Sequence, residues 1–184
     1  IRLISTRIVT PITESVAFAK AIAKGDLSAA IETDDEDEIG TLANALNEMK
    51  GRIGDVLTET DGLTDAVREG RLDSRGNTEG FDGGWKELIT GVNSLIDAFV
   101  APITMTAASI DRIAKGDIPE KITEVYNGDF DHIRQSLNQC IDAVTGLVNE
   151  TVILTQNAAE GRLDMRGNAE NFGGDYARII KGIN

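Results

Sequence analysis

Residues 41–70 read TLANALNEMKGRIGDVLTETDGLTDAVREG, and the spacing of the apolar side chains in this stretch decides the fold. Leu42, Leu46, Met49, Ile53, Val56, Thr60, Leu63 and Val67 follow one another at intervals that alternate four and three. Such spacing keeps one narrow stripe on one face of a helix, as in a coiled-coil seam. The stripe returns 91 residues later as Ile133, Leu137, Cys140, Val144, Leu147, Thr151, Leu154 and Ala158. Between the two lies a third, made of Trp85, Ile89, Val92, Ile96, Phe99, Ile103, Thr106, Ile110 and Ile113. Shorter pieces open and close the chain: Ile8, Ile12, Ser15, Ala19 and Ile22, then Tyr176, Ile180 and Ile183. Five helices are predicted, over about residues 3–24, 39–70, 84–115, 129–161 and from 174 onward.

The offset of 91 reaches beyond the seams. Ala23-Lys24-Gly25-Asp26 becomes Ala114-Lys115-Gly116-Asp117, and Arg75-Gly76-Asn77 becomes Arg166-Gly167-Asn168. A fixed period over the whole length implies stacked units, not one closed globule. Each predicted helix ends at a glycine, Gly25, Gly70, Gly116 or Gly161, where the chain has to leave through a left-handed conformation. The residues after each glycine carry isolated apolar anchors: Leu27 and Ile31, Leu72 and Phe81, Ile118 and Ile122, Leu163 and Phe172. A connector of about 12 extended residues reaches roughly 35 Å, enough to return along a helix of about 20 residues, so the helices it joins can lie parallel. Two such helices, with one narrow stripe each, cannot bury both stripes within one chain. The expectation is an all-α fold in which two copies of the chain form parallel four-helix coiled-coil bundles. These stack end to end into an elongated rod, with consecutive units sharing continuous helices.

Composition narrows the function. The 31 acidic against 18 basic residues give a net charge of −13, which repels a phosphate backbone and excludes nucleic acid as an expected partner. Aromatic content of 4% argues against a single large core. The lone Cys140 excludes an internal disulfide and sits at a seam position equivalent to Met49, which suits packing better than redox chemistry. No apolar run is read as approaching the roughly 18–20 residues that span a bilayer, so the segment is expected to be soluble as it stands. Its start at Ile1 and stop at Asn184 inside a repeating pattern read as those of an excised fragment. His132, the single histidine, lies beside the seam with nothing around it that resembles a catalytic triad. The acidic run Asp34-Asp35-Glu36-Asp37-Glu38 lacks the alternating ligands and glycine of a calcium loop and reads as a solvated connector. Glu38 is the exception, placed at a helix start against free backbone donors. Asn47 and Asn138 precede seam residues and either fix orientation by hydrogen bonding or face solvent. Pro102 lies deep in a predicted helix, a defect of roughly 3 kcal/mol that predicts a bend or joint, or else a break across residues 99–103. No enzyme activity, cofactor, metal or small-molecule ligand is expected.

A helix with an early proline (Pro11), an Ile-Ala-Lys-Gly-Asp-Leu ending at residues 22–27, a connector with two anchors, the motif Asp37-Glu38-Ile39-Gly40 and a helix carrying Leu46-Asn47-Glu48-Met49 together resemble a HAMP domain. Residues 1–55 look like an orthodox member. Residues 98–146 keep Pro102, Gly116-Asp117-Ile118, Ile122 and Leu137-Asn138, with Gly128-Asp129-Phe130-Asp131 in place of the acidic motif. Residues 56–97 and 147–184 lack the proline and resemble the divergent type that alternates with the orthodox one in tandem arrays. The resemblance implies a parallel homodimer on the cytoplasmic side of a membrane receptor, passing a conformational signal from a preceding transmembrane helix to a following output domain. A methyl-accepting chemotaxis protein is the nearest likeness, with a sensor histidine kinase or a passive coiled-coil spacer as alternatives. It also implies that Glu38 touches the first helix near Pro11. Two readings stand for the small polar seam residues Ser15, Thr60, Thr106 and Thr151: they are simply tolerated in long coiled coils, or they hold each unit near balance between two packings.

Overall fold

The computed structural model describes residues 8–32 and 37–184. Among these the regular structure is helical: α1 (Thr10–Ala23), α2 (Glu38–Arg68), α3 (Gly83–Ala114), α4 (Asp129–Ala159) and α5 (Gly174–Ile183), with a 3-10 turn at Ala169–Asn171. The all-α fold predicted from the seam spacing is therefore observed, and the described helix ends fall within one or two residues of the predicted ones for α2 to α5. The start expected for the first helix lies outside the described residues.

Glycine ends four of the helices by one mechanism. Gly25 has φ 83°, and Gly70, Gly116 and Gly161 each have φ 79°, a region that a side chain makes costly. At the first, the Asp26 N–H donates to the Ala21 carbonyl at 3.0 Å and the Gly25 N–H to the Ile22 carbonyl at 2.8 Å. The same two bonds recur at Arg71 and Gly70, at Asp117 and Gly116, and at Arg162 and Gly161. They satisfy carbonyls that a helix end otherwise leaves without partners.

Contacts along the connector establish the direction of the helices. A Cβ placed on Gly76 would sit 3.1 Å from Leu63 Cδ1, Asn77 bonds Glu59, and Phe81 packs with Val56. The connector thus runs back along α2, in the opposite sense. Gly76 also meets Ile89 and Asn93 of α3, so the chain turns again and α3 rises beside α2, parallel to it. The second copy repeats this arrangement, with Gly167 beside Leu154, Asn168 on Glu150, and Ile180 and Asn184 closing on Gly167.

The chain divides into two compact halves, Ile1–Asp97 and Ala98–Asn184, with the division inside α3. In the first, Phe18, Ile22 and Ala43 are buried around α1 and α2, and Val56, Phe81 and Ile89 form a cluster that joins α2, the connector and α3. In the second, Leu137, Ile141, Leu154 and Ile180 are buried, and Phe99 meets Phe130 edge to face at 5.6 Å.

Of the two readings of Pro102, a joint or an outright break, the break is excluded, because α3 runs unbroken through residues 99–103. Proline removes one donor from a helix that keeps its other bonds, and the Pro102 carbonyl still accepts the Thr106 hydroxyl at 2.8 Å. α3 also contains a window long and apolar enough, by length and composition, to cross a membrane, contrary to the reading of the apolar runs. From Leu88 to Ile110 its only ionisable residue is Asp97. Asp97 pairs with Arg75 at 2.6 Å, and Asn93, one turn earlier, bonds Gly76. The one ionisable residue of that window and its one carboxamide are thus committed to the chain's own connector.

Candidate functional site

A connector running extended beside a helix has backbone N–H and C=O groups with no ladder to join, and each needs a partner. In every pair of helices that partner is an asparagine on the second helix. Asn47 Nδ2 donates to the Ile31 carbonyl at 2.8 Å. Asn93 does the same to Gly76 at 2.9 Å, while its Oδ1 accepts the Gly76 N–H at 2.7 Å. Asn138 grips Ile122 by both groups, at 3.0 and 2.8 Å, and Asn184 grips Gly167 at 2.9 and 2.7 Å. A carboxamide carries one donor face and one acceptor face, so it can mimic the edge of a neighbouring strand. The gripped residue is always the sixth beyond the capping glycine.

Anchor identity separates two kinds of pair. Ile31 and Ile122, half-buried, hold the position in the first and third pairs. Gly76 and Gly167, both buried, hold it in the second and fourth. A Cβ on Gly76 would lie 2.8 Å from Ile89 Cγ2, and one on Gly167 would lie 2.8 Å from both Ile180 Cγ2 and Leu154 Cδ1. Ile89 and Ile180 are fully buried. The bulk that the connector supplies elsewhere as isoleucine is therefore supplied here by the helices, and the connector backbone presses against them.

In these glycine-anchored pairs a further bond reaches the next residue. Glu59 Oε1 accepts the Asn77 N–H at 2.7 Å, and Glu150 Oε1 accepts that of Asn168 at 2.8 Å. Arg75 adds bonds to the Leu72 and Ser74 carbonyls and the ion pair to Asp97. Arg166 repeats the two carbonyl bonds.

The residues singled out from sequence distribute unevenly over this framework. Gly25, Gly70, Gly116 and Gly161 are the helix stops already described. Leu27, Leu72, Ile118 and Phe172 are half-buried anchors and Phe81 is buried, but Leu163 is 71% exposed and anchors nothing within the chain. Phe172 lies against Gly146, where an added Cβ would sit 3.3 Å from its ring. Pro11 is at the first turn of α1, where a missing donor costs nothing. Glu38 is the exposed first residue of α2, and the capping role read for it belongs to Asp37, whose Oδ1 accepts from Ile39 at 2.9 Å and Gly40 at 3.1 Å. The shorter aspartate, one residue earlier, has the reach for those donors. Asp34, Asp35 and Glu36 lie outside the described residues.

Asp129 starts α4 without a side-chain cap. Asp131 is instead held below the ordinary carboxylate range by hydrogen bonds from Arg134 and Gln135. Asp117 is held low by Arg112, and Asp26 by Ser28. Thr60 and Thr106 each donate to the carbonyl one turn back, so a hydroxyl in the seam needs no outside partner. Thr151 is half-buried in the seam, and the Ser15 hydroxyl is buried without a hydrogen-bond partner. His132 and Cys140 are exposed. Among the described residues no cluster of His, Cys, Asp and Glu suits a metal.

Asn93, Asn184, Glu59 and Glu150 escaped the sequence reading. The signal was present in the repeat: the four asparagines are spaced 46, 45 and 46 residues apart. Compared with known families, residues 3–55 match one model described as HAMP domain, and residues 80–146 match a second model of the same description. Together the matches span about two thirds of the chain.

Proposed function

This chain belongs to the HAMP family, with its domains in tandem, and from that premise we propose that it relays a conformational signal along its helices as a parallel dimer with a second copy of itself. HAMP domains are signalling modules found in the cytoplasmic regions of transmembrane receptors. The observation that carries the proposal is the double duty of the long helices. α2 holds one connector through Asn47 and the next through Glu59, and α4 does so through Asn138 and Glu150. A rotation or tilt at the front of such a helix is delivered at its back, because the intervening turns are bonded without interruption. We further propose that the four helix pairs cover residues 1–55, 56–97, 98–146 and 147–184, and that the whole protein is a chemoreceptor. The resemblance of the tandem array to those of methyl-accepting chemotaxis proteins supports that choice over a histidine kinase, and the orthodox first unit supports a relay over a spacer.

The second copy is supported by the seams. Ile89, Leu137, Leu154 and Ile180 are buried within one chain, yet Ile103, Ile110 and Ile133 on the same stripes remain 47%, 54% and 41% exposed. Covering such a side chain contributes up to about 1.5–3 kcal/mol, and an identical, parallel chain presents the matching stripe in register. Cys140, exposed at a seam position, then faces its own copy. Mild oxidation is expected to give a disulfide-linked dimer that Cys140→Ser abolishes. Sedimentation showing a folded monomer at high concentration would remove the dimer.

The relay itself is tested by fusing the chain between a receptor's membrane helix and its kinase-control region. Stimulus-dependent output is expected, whereas a spacer transmits none. In the same fusion, Thr106→Ile, in the seam of the third pair, is expected to bias the output, because isoleucine fills seam space that the threonine leaves open. An unchanged output and response would remove that threonine from the mechanism.

A further inference from the structure

We infer that the second and fourth helix pairs are locked by Glu59 and Glu150, and that repacking during relay is confined to the first and third pairs. The inference rests on the relay reading above. In the locked pairs the connector is held from both sides. Gly76 is gripped by Asn93 of the following helix, while its neighbour Asn77 is bonded to Glu59 of the preceding one. Gly167 and Asn168 repeat the arrangement with Asn184 and Glu150. Two adjacent connector residues therefore tie helix to helix, and a carboxylate acceptor makes one of the ties charge-assisted.

The third pair is built otherwise. Its connector is tied to the following helix by Asn138 on Ile122 and by Lys121 on Asp142 at 2.8 Å. The position eleven residues before the capping glycine, occupied by Glu59 and Glu150 in the locked pairs, is Met105. Methionine offers the connector amide no carboxylate. In the first pair the described ties, Asn47 to Ile31 and Lys50 to Ala29, also reach the connector from the following helix. Glu14 holds the eleventh position there, but no bond from it to a connector amide is found among the described residues. The anchor offers a reason. Glycine lets the connector backbone close on the helices, with a Cβ at only 2.8 Å from them, and so brings the next amide within reach of a glutamate. Isoleucine at the anchor has to be accommodated in that space. A lock thus needs both the glycine and the glutamate, and only the second and fourth pairs have both.

The mechanical difference follows from the kind of contact. Apolar contact between the preceding helix and its connector has no preferred direction, whereas a hydrogen bond weakens steeply when bent or stretched. Turning the preceding helix breaks the glutamate bond in a locked pair and only slides apolar surface in an unlocked one.

Amide hydrogen exchange on the purified chain tests the lock directly. The Asn77 and Asn168 amides are expected to exchange at least about tenfold more slowly than those of Glu32 and Thr123, the equivalent residues of the other two connectors. Glu59→Ala with Glu150→Ala is expected to abolish the difference, and Glu59→Gln with Glu150→Gln, which keeps an accepting oxygen, to restore most of it. Equal rates in the parent chain, or no change in the alanine variant, overturn the lock. In the receptor fusion the alanine variant is expected to lose most of the stimulus response and the glutamine variant to retain it. An alanine variant that responds like its parent removes the lock from signalling. A parent fusion that never responds rejects the relay reading, while the exchange rates still decide whether the lock exists.

Discussion

Ile89→Ala is expected to lower the stability of the chain by about 2–5 kcal/mol, and Gly76→Ala by about 1–3 kcal/mol, with the pair together costing less than the sum. Ile89 is fully buried where the connector crosses α3, so truncation leaves a cavity that backbone tied to Asn93 cannot readily fill. The Gly76 substitution acts in the opposite sense. Its new methyl lands 2.8 Å from Ile89 Cγ2 and 3.1 Å from Leu63 Cδ1. Leu63 can swing its terminal carbon away, but Cγ2 of a β-branched residue moves only with its χ1 or its backbone. In the double variant the alanine methyl occupies part of the space that Ile89 vacated. Denaturant unfolding of the parent and three variants, at one protein concentration because association shifts apparent stability, gives the coupling directly. Strictly additive costs would mean that Gly76 and Ile89 do not share that space.

Asn93→Ala is expected to cost about 2–4 kcal/mol, more than any exposed asparagine on these helices. It strands the N–H and the C=O of a buried residue together, with no third group placed to take either. Asn149→Ala, on an exposed face of α4, is the control, expected within about 0.5 kcal/mol of the parent. Asn93→Asp keeps the acceptor and loses the donor, and so should fall between the two. The same unfolding measurement checks all three. A loss at Asn93 no greater than at Asn149 would show that the grip on Gly76 contributes nothing to stability.

Much of the fold was legible because its signals are local. The alternation of four and three in the seams, read over a few turns, located α2 to α5 to within a residue or two. Four glycines located the helix ends, because a Schellman turn involves only six consecutive residues, and the 91-residue repeat supplied each reading twice. The HAMP likeness came from Pro11, the acidic motif and the residues around Asn47, all in one stretch. The site was less legible. Glu38 was given a cap that Asp37 makes, a distinction of one residue and one methylene. Leu163 was read as an anchor by analogy with Leu72, yet it stands in solvent within the single chain. The apolar window of α3 was underestimated because its seam was read as coiled coil and its overall hydropathy was not.

By itself the sequence determined the number of helices, where each ends, their grouping by a repeat of 91 residues, and the family they form. Those follow from periodicity and from backbone conformations that only glycine adopts cheaply, both of which are written in residue identity. Only the tertiary structure decided that Asn47, Asn93, Asn138 and Asn184 hold the connectors, that Gly76 and Gly167 are glycines for want of room, and that Glu59 and Glu150 tie two of the four pairs together. In each case the partner is a backbone group or an empty volume some 13 to 18 residues away. Every residue except proline carries the same N–H and C=O, so nothing in the letters marks which one a distant side chain will reach.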